Sequence, residues 1–180
     1  MLNTLLGGKT HPMHHWLDFS GATPLLIPKR LVPYWHGVFD TLTGAYSELN
    51  TKAPRTDYDR ACIAAWPWPG RGVVQVGDGS ALALYTEFDE HTWDHAGSLV
   101  ACGSWMPSRS QLENATWSDS FTWETKDTEF FLMNSAASGF DGLKQDDFLE
   151  VSLIPGVYSI EYANLEAEYV GCFHRFSLCR

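Results

Sequence analysis

The sequence predicts a mainly β protein (α+β at most): an antiparallel sandwich or barrel-like single domain with a few short helices. Three observations predict it. Apolar runs of about four to eight residues recur along the chain, the length of strands rather than of buried helices. Gly and Pro punctuate the intervals between them. One pair of runs, Val73–Val76 and Ala81–Thr86, flanks the turn Gly77-Asp78-Gly79, which is the pattern of a hairpin. With 180 residues, 44% of them hydrophobic, the chain can bury one sizeable core.

Taken in order, residues 1–15 read as a loose N-terminal arm and residues 16–180 as the domain. Leu17-Asp18-Phe19 is the first strand, Ser20 to Thr23 a turn, and Pro24-Leu25-Leu26-Ile27 the second strand. Residues 28–36 form a short helix, with Pro28 near its first position and Pro33 limiting its regularity. Residues 40–57 read as a long loop. Ala61–Trp66, Val73–Val76, Ala81–Thr86, Leu99–Trp105, Phe121–Trp123, Phe130–Met133 and 148–154 are further strands. Pro155-Gly156 is a turn, after which Val157–Tyr162 and Tyr169–Leu178 make a terminal hairpin. In its last strand Cys172, His174, Phe176 and Leu178 share a face, because side chains alternate. The expected core includes Leu26, Cys62, Ile63, Val74, Leu82, Leu84, Val151, Ile160 and Phe176.

The charge is divided unevenly. Residues 1–80 carry seven basic and six acidic groups, a net of +1; residues 81–180 carry five and sixteen, a net of -11. Such a balance argues against nucleic acid, whose phosphates need Lys and Arg, and favours a basic protein partner, whose encounter an acidic field accelerates. Solubility alone would also account for it. No stretch is long enough to span a bilayer, and the start lacks the basic and apolar parts of a secretory leader, so no membrane partner and a cytoplasmic location are expected. The cysteines at 62, 102, 172 and 179 have no CxxC spacing, which suits a reducing compartment. On one strand Cys172 and Cys179 would face opposite sides, so a bridge between them would need a turn.

Catalytic and metal-binding chemistry find little support. Asp57 and Asp59 would share a side on an extended segment, but nothing nearby separates their pKa values as acid-base work requires; Arg60 is the natural partner of one of them. Cys62 in its apolar run reads as a buried thiol. His91 and His95 have the spacing of two ligands on a helical face, although the flanking sequence is strand-like and on a strand they would share a side but stand farther apart; His11, His14 and His15 cluster near the start, and neither group matches a recognised metal motif. Nothing in the sequence calls for a cofactor. The features suited to recognition are the carboxylates Glu87, Asp89, Glu90 and Asp94, with Trp93 among them. An acidic rim around an aromatic anchor has the anatomy of a binding hot spot, against the alternative of a solvated loop with Trp93 turned inward. A second acidic stretch, Asp141, Asp146, Asp147 and Glu150 beside Phe140 and Phe148, reads more simply as a surface loop.

The landmarks Trp16-Leu17-Asp18, Pro24-Leu25-Leu26, Trp35-His36-Gly37, Asp57-Tyr58-Asp59-Arg60-Ala61-Cys62 and Val76 to Leu82 resemble, in this order, those of immunity protein family 21 of bacterial polymorphic toxin systems. That family carries a "GGPL" strand, a "W-x-G" turn and a "DYDRAC"-like segment; here Gly21-Ala22-Thr23-Pro24 stands where it tends to have a glycine pair before proline. The resemblance implies a non-enzymatic protein that binds and neutralises one cognate toxin domain. In this reading Trp16, Pro24, Trp35, Gly37, Asp57, Tyr58, Asp59, Arg60 and Cys62 are structural. Two other classes are compatible with the residues: a carbohydrate or ligand-binding module built on the tryptophans, and a small hydrolase using Asp57 or Asp59.

Overall fold

The computed structural model describes residues 16–18, 24–37, 72–76, 78–84, 90–93, 99–102, 106–117, 121–140, 148–166 and 170–179. Two antiparallel sheets face each other across a core. Among the described residues the first contains β1 (Leu17–Asp18), β5 (Glu90–Trp93), β6 (Leu99–Cys102), β11 (Val170–Leu178), β10 (Gly156–Glu166) and β7 (Phe121–Thr125), in that spatial order. The second runs β3 (Gly72–Val76), β4 (Gly79–Ala83), β2 (Pro24–Pro28), β8 (Glu129–Asn134), β9 (Phe148–Ser152). Two separate sheets contribute to the core, so the arrangement is a sandwich rather than a closed barrel. Leu17, Trp123, Tyr158, Ile160 and Phe176 from one sheet meet Leu26, Leu82, Phe130, Leu132 and Val151 from the other.

β2 shows how the sequence dictates this. A strand with one wet face alternates apolar and polar residues; Pro24–Pro28 is buried throughout, because it lies between β4 and β8 and is covered on both faces. Leu26 enters the inter-sheet core. Leu25 and Ile27 point the other way, into a second cluster with Leu31, Val32 and Trp35. Proline is tolerated at the strand's first position, and the Pro24 carbonyl still accepts from Leu84 N–H at 2.9 Å. The expected helix over 28–36 is a 3-10 segment, Lys29–Tyr34, preceded by Pro28. Pro33 removes a donor from within it, and Trp35 N–H closes an i to i+3 bond on Val32 O at 3.1 Å.

Val76 pairs with Gly79 and Asp78 lies in the turn between β3 and β4, the hairpin the sequence implied. The terminal hairpin runs from Tyr158↔Leu178 to Glu166↔Val170. Leu26, Leu82, Leu84, Val151, Ile160 and Phe176 are buried as expected; Cys62, Ile63 and the Ala61–Trp66 strand lie outside the described residues, as does the 40–57 loop. Cys179 follows β11 directly and is a free, exposed thiol, not half of a bridge to Cys172.

One alternative is resolved and one element is new. Glu90–Trp93 is a strand, the state the sequence left open beside a helical turn, with β1 and β6 supplying its pairing; His95 lies outside the described residues. A short helix, α1 (Arg109–Glu113), was not anticipated. Its signal was present: Ser108-Arg109-Ser110-Gln111 is a capping box, with Ser108 N–H bonded to Gln111 Oε1 at 2.8 Å and Gln111 N–H to Ser108 Oγ at 3.3 Å. This segment covers the outer face of the first sheet, where Trp16, Leu112, Trp117 and Leu165 pack on Phe173. Arg175 lies 4.0 Å from the Trp117 ring centre and pairs with Glu161 across the hairpin.

Two of the places where the chain passes from one sheet to the other are the neighbouring turns 126–128 and 153–155. Leu153 N–H donates to Thr128 O at 3.0 Å, and the Tyr158 hydroxyl donates to Ile154 O at 2.7 Å. Burial raises the Tyr158 phenol above its ordinary value near 10, because the core disfavours the phenolate. The unfolded chain therefore releases this proton first as pH rises. The contribution is fully present below about pH 10 and is lost as pH climbs through the folded value. Tyr158→Phe should cost about 0.5–1.5 kcal/mol at neutral pH, from the lost hydrogen bond, and should flatten the decline above pH 10. Urea midpoints against pH for both proteins check this; parallel alkaline declines would contradict it.

Candidate functional site

The tryptophan-glycine motif forms a clasp. Trp35 is 2% exposed and its indole N–H donates to Ser135 O at 3.0 Å. The Gly139 N–H returns a bond to Trp35 O at 2.8 Å. Gly37 sits at φ 58°, and a Cβ there would lie 2.3 Å from Ala136 O. The motif thus grips the 135–139 turn after β8, which is held from its other side by Asn134, whose Oδ1 accepts from Ala136 N–H at 2.8 Å. His36, between the two motif residues, is exposed.

Beside the clasp, Arg30 reaches out of the 3-10 segment to two turns, the sheet-changing turn 126–128 and the β3–β4 turn. It binds Asp127 with two nitrogens, at 2.6 and 3.2 Å, and also binds Asp78 in the β3–β4 turn. These two carboxylates, Asp127 foremost, raise the guanidinium pKa further above its ordinary value. The three residues border an open depression of about 260 Å³, shared with Ser80, Glu124 and Lys126. Its aspartates are committed to Arg30, and Ser80 Oγ accepts from the Trp123 indole at 3.4 Å. The depression offers a polar, mixed-charge surface of the kind found at interface rims.

Of the residues singled out from the sequence, Trp16 is half-buried against Phe173, and Pro24 and Trp35 are buried. Glu90 and Trp93 lie on β5, whose neighbour on one side is the two-residue edge strand β1. The register pairs Glu90 with Asp18 and Trp93 with Val100. Their positions have opposite parity, so they fall on opposite faces of the strand. Glu87, Asp89, Asp94 and the whole segment Asp57, Tyr58, Asp59, Arg60, Ala61 and Cys62 lie outside the described residues, as do His11, His14, His15 and His95. Phe148 and Glu150 of the second acidic stretch belong to β9: Phe148 packs against Phe131 in a tilted arrangement with ring centres 4.3 Å apart, and Glu150 pairs with Lys29 at 3.2 Å. Phe140 is 67% exposed. The Arg30 bridge escaped sequence reasoning because Asp78 and Asp127 are 48 and 97 residues away from it, and no local pattern joins them.

No described helix is long and apolar enough to cross a membrane. No curated protein and no solved structure matches the chain significantly. The family model described as immunity protein 21 matches residues 15–170. That span covers the β2 strand, the Trp35–Gly37 clasp, the Arg30 bridge and every described strand except β11, of which it reaches only the first residue, and the chain therefore belongs to the immunity protein 21 family.

Proposed function

We propose that this protein binds a cognate bacterial toxin domain and neutralises it by occlusion, without chemistry of its own, in the cytoplasm of a cell that carries a polymorphic toxin system. The observation that carries the reading is the family match across residues 15–170. The acidic excess of residues 81–180 supports a basic toxin domain as the partner, and speaks against nucleic acid. A sugar-binding module would display tryptophans on an open face. Of the four whose side chains are described, Trp35 and Trp123 are buried and Trp16 and Trp117 are packed around Phe173.

The proposed contact is the acidic run Glu87, Asp89, Glu90 and Asp94, of which Glu90 stands on β5 beside the edge strand β1; Trp93, at a position on the opposite face of β5, is not part of it. A cleft that binds a polyanionic substrate is basic, and an acidic strand and its flanks can fill it. Charge of this kind acts first on the encounter rate, and salt screens it beyond about 8–10 Å at physiological ionic strength. Replacing the four carboxylates by their amides should slow association roughly tenfold or more at low salt and flatten its salt dependence, with the thermal midpoint unchanged. The measurement is binding kinetics against the toxin domain encoded beside this gene. An unchanged on-rate in the variant would remove this surface from the proposal, and no binding by the wild-type protein would count against the immunity function itself.

A further inference from the structure

One end of the sandwich carries a patch of exposed apolar side chains. Among the described residues five large hydrophobic side chains are exposed, and three of them lie here: Ile154 at 67%, Val157 at 39% and Leu178 at 41%. Ile154 belongs to the 153–155 turn, and the other two to the open end of the terminal hairpin. Leu178 stands opposite Tyr158 and lies over Gly156, where a Cβ would come within 2.6 Å of its Cδ1. Cys179 N–H donates to Val157 O at 2.7 Å. The depression around Arg30 adjoins the patch. Val157 pairs with Glu124 and Gly156 with Thr125, both partners line the depression, and directly opposed residues share a face of the sheet. The bond from Leu153 N–H to Thr128 O joins the turn of Ile154 to that of Asp127. The backbone under the patch is fixed. The Tyr158 hydroxyl holds Ile154 O, Asp127 N–H donates to Thr125 Oγ1 at 3.1 Å, and Arg30 grips Asp127 with two nitrogens.

Resting on the immunity reading above, we propose that this end of the sandwich is a second contact surface for the toxin domain, with Ile154, Val157 and Leu178 as its apolar centre. It is separate from the acidic run around Glu90, because β6 and β11 stand between β5 and β10, roughly 14 Å across the sheet at ordinary strand spacing. Exposed apolar side chains grouped inside a polar border mark interaction sites, and an apolar centre with a polar rim is how such interfaces are built. Because the turns beneath are already fixed, docking has little left to order, which lowers the cost of binding. Charge selects the occupant. Around the depression the carboxylates of Asp78, Glu124 and Asp127 outnumber the cations of Arg30 and Lys126. Arg30 is committed to Asp127 and Asp78, yet the Asp78 side chain is 82% exposed, and Glu124 is exposed as well. Those two carboxylates can accept charge-assisted hydrogen bonds from a Lys or Arg of the partner. A second copy of this chain would bring the same acidic surplus, within a net charge of -10, against itself; a basic domain would not.

The test is binding kinetics of the full chain with the toxin domain encoded beside this gene. A variant combining Ile154→Ser, Val157→Thr and Leu178→Ser should dissociate roughly tenfold faster or more, as loss of anchors at an interface centre does, with little change in on-rate. The amide variant of the acidic run acts on the on-rate instead, so the two surfaces are read separately. Should the triple variant fold poorly, Glu124→Lys, a change at an exposed side chain, decides the matter: it should weaken binding roughly tenfold by setting like charges against each other. A wild-type complex whose off-rate a folded triple variant leaves unchanged, or whose affinity Glu124→Lys leaves unchanged, would overturn this surface while the immunity reading stood. No binding by the wild-type protein would remove that reading, and this surface with it. A free protein that sediments as a dimer, and as a monomer once the three residues are changed, would assign the patch to a second copy and overturn the proposal as well.

Discussion

Replacing Trp35 by alanine should destabilise the protein by about 3–5 kcal/mol, the range for removing a large aromatic side chain from a core. The indole fills the cluster behind β2 with Leu25, Ile27, Val32, Phe131 and Met133. The residues around it belong to β2, the 3-10 segment and the neighbouring strand β8, which hydrogen bonds fix within one sheet, so they cannot collapse into the space. Its removal also takes the hydrogen bond from Ser135 O, an acceptor in a buried turn. Trp35→Phe keeps much of the volume and loses that bond, so it should cost less than the alanine change. Denaturant midpoints for the two variants check this. A Trp35→Ala protein within 1 kcal/mol of wild type, on the scale that separates core from surface changes, would mean that the motif is not a structural clasp.

Gly37→Ala should be nearly as damaging, at about 2–4 kcal/mol, for a different reason. An alanine pays roughly 1–2 kcal/mol to occupy the left-handed region. Its Cβ would also stand 2.3 Å from Ala136 O and 2.6 Å from Ala137 C, where backbone atoms rather than a flexible side chain must yield; overpacking of this kind adds about 1–3 kcal/mol. The exposed His36 between the two motif residues provides the control. His36→Ala should stay within about 0.5 kcal/mol of wild type. Equal effects at positions 36 and 37 in thermal or chemical unfolding would contradict the geometric account.

What was legible in the sequence was local. The apolar run Pro24–Ile27, the Gly77-Asp78 turn and the terminal hairpin are each written in consecutive residues, because period, turn chemistry and strand length are local properties. β5 was harder to read. Glu90-His91-Thr92-Trp93 has no alternating apolar pattern, and its extended state depends on pairing with β1 and β6, which lie elsewhere in the chain. The small helix after Ser108 could have been read from its capping box. For the candidate site, the role of Trp35 and Gly37 was visible as a motif, but its physical content was not: Ser135 and Gly139 close on them only after β2 and β8 have paired. The same is true of the Arg30 bridge, a product of topology rather than of sequence spacing.

The central claim is that this chain disarms a toxin by holding it. The direct measurement is protection in living cells. The toxin domain encoded beside this gene is expressed from an inducible promoter, with and without this protein, and survival is counted. The account predicts that cells die without the protein and survive with it, that the two purify as one complex, and that the Trp35→Ala variant protects poorly because it folds poorly. Cells that die equally with and without a well-expressed, folded wild-type protein, with no complex recovered, would contradict it.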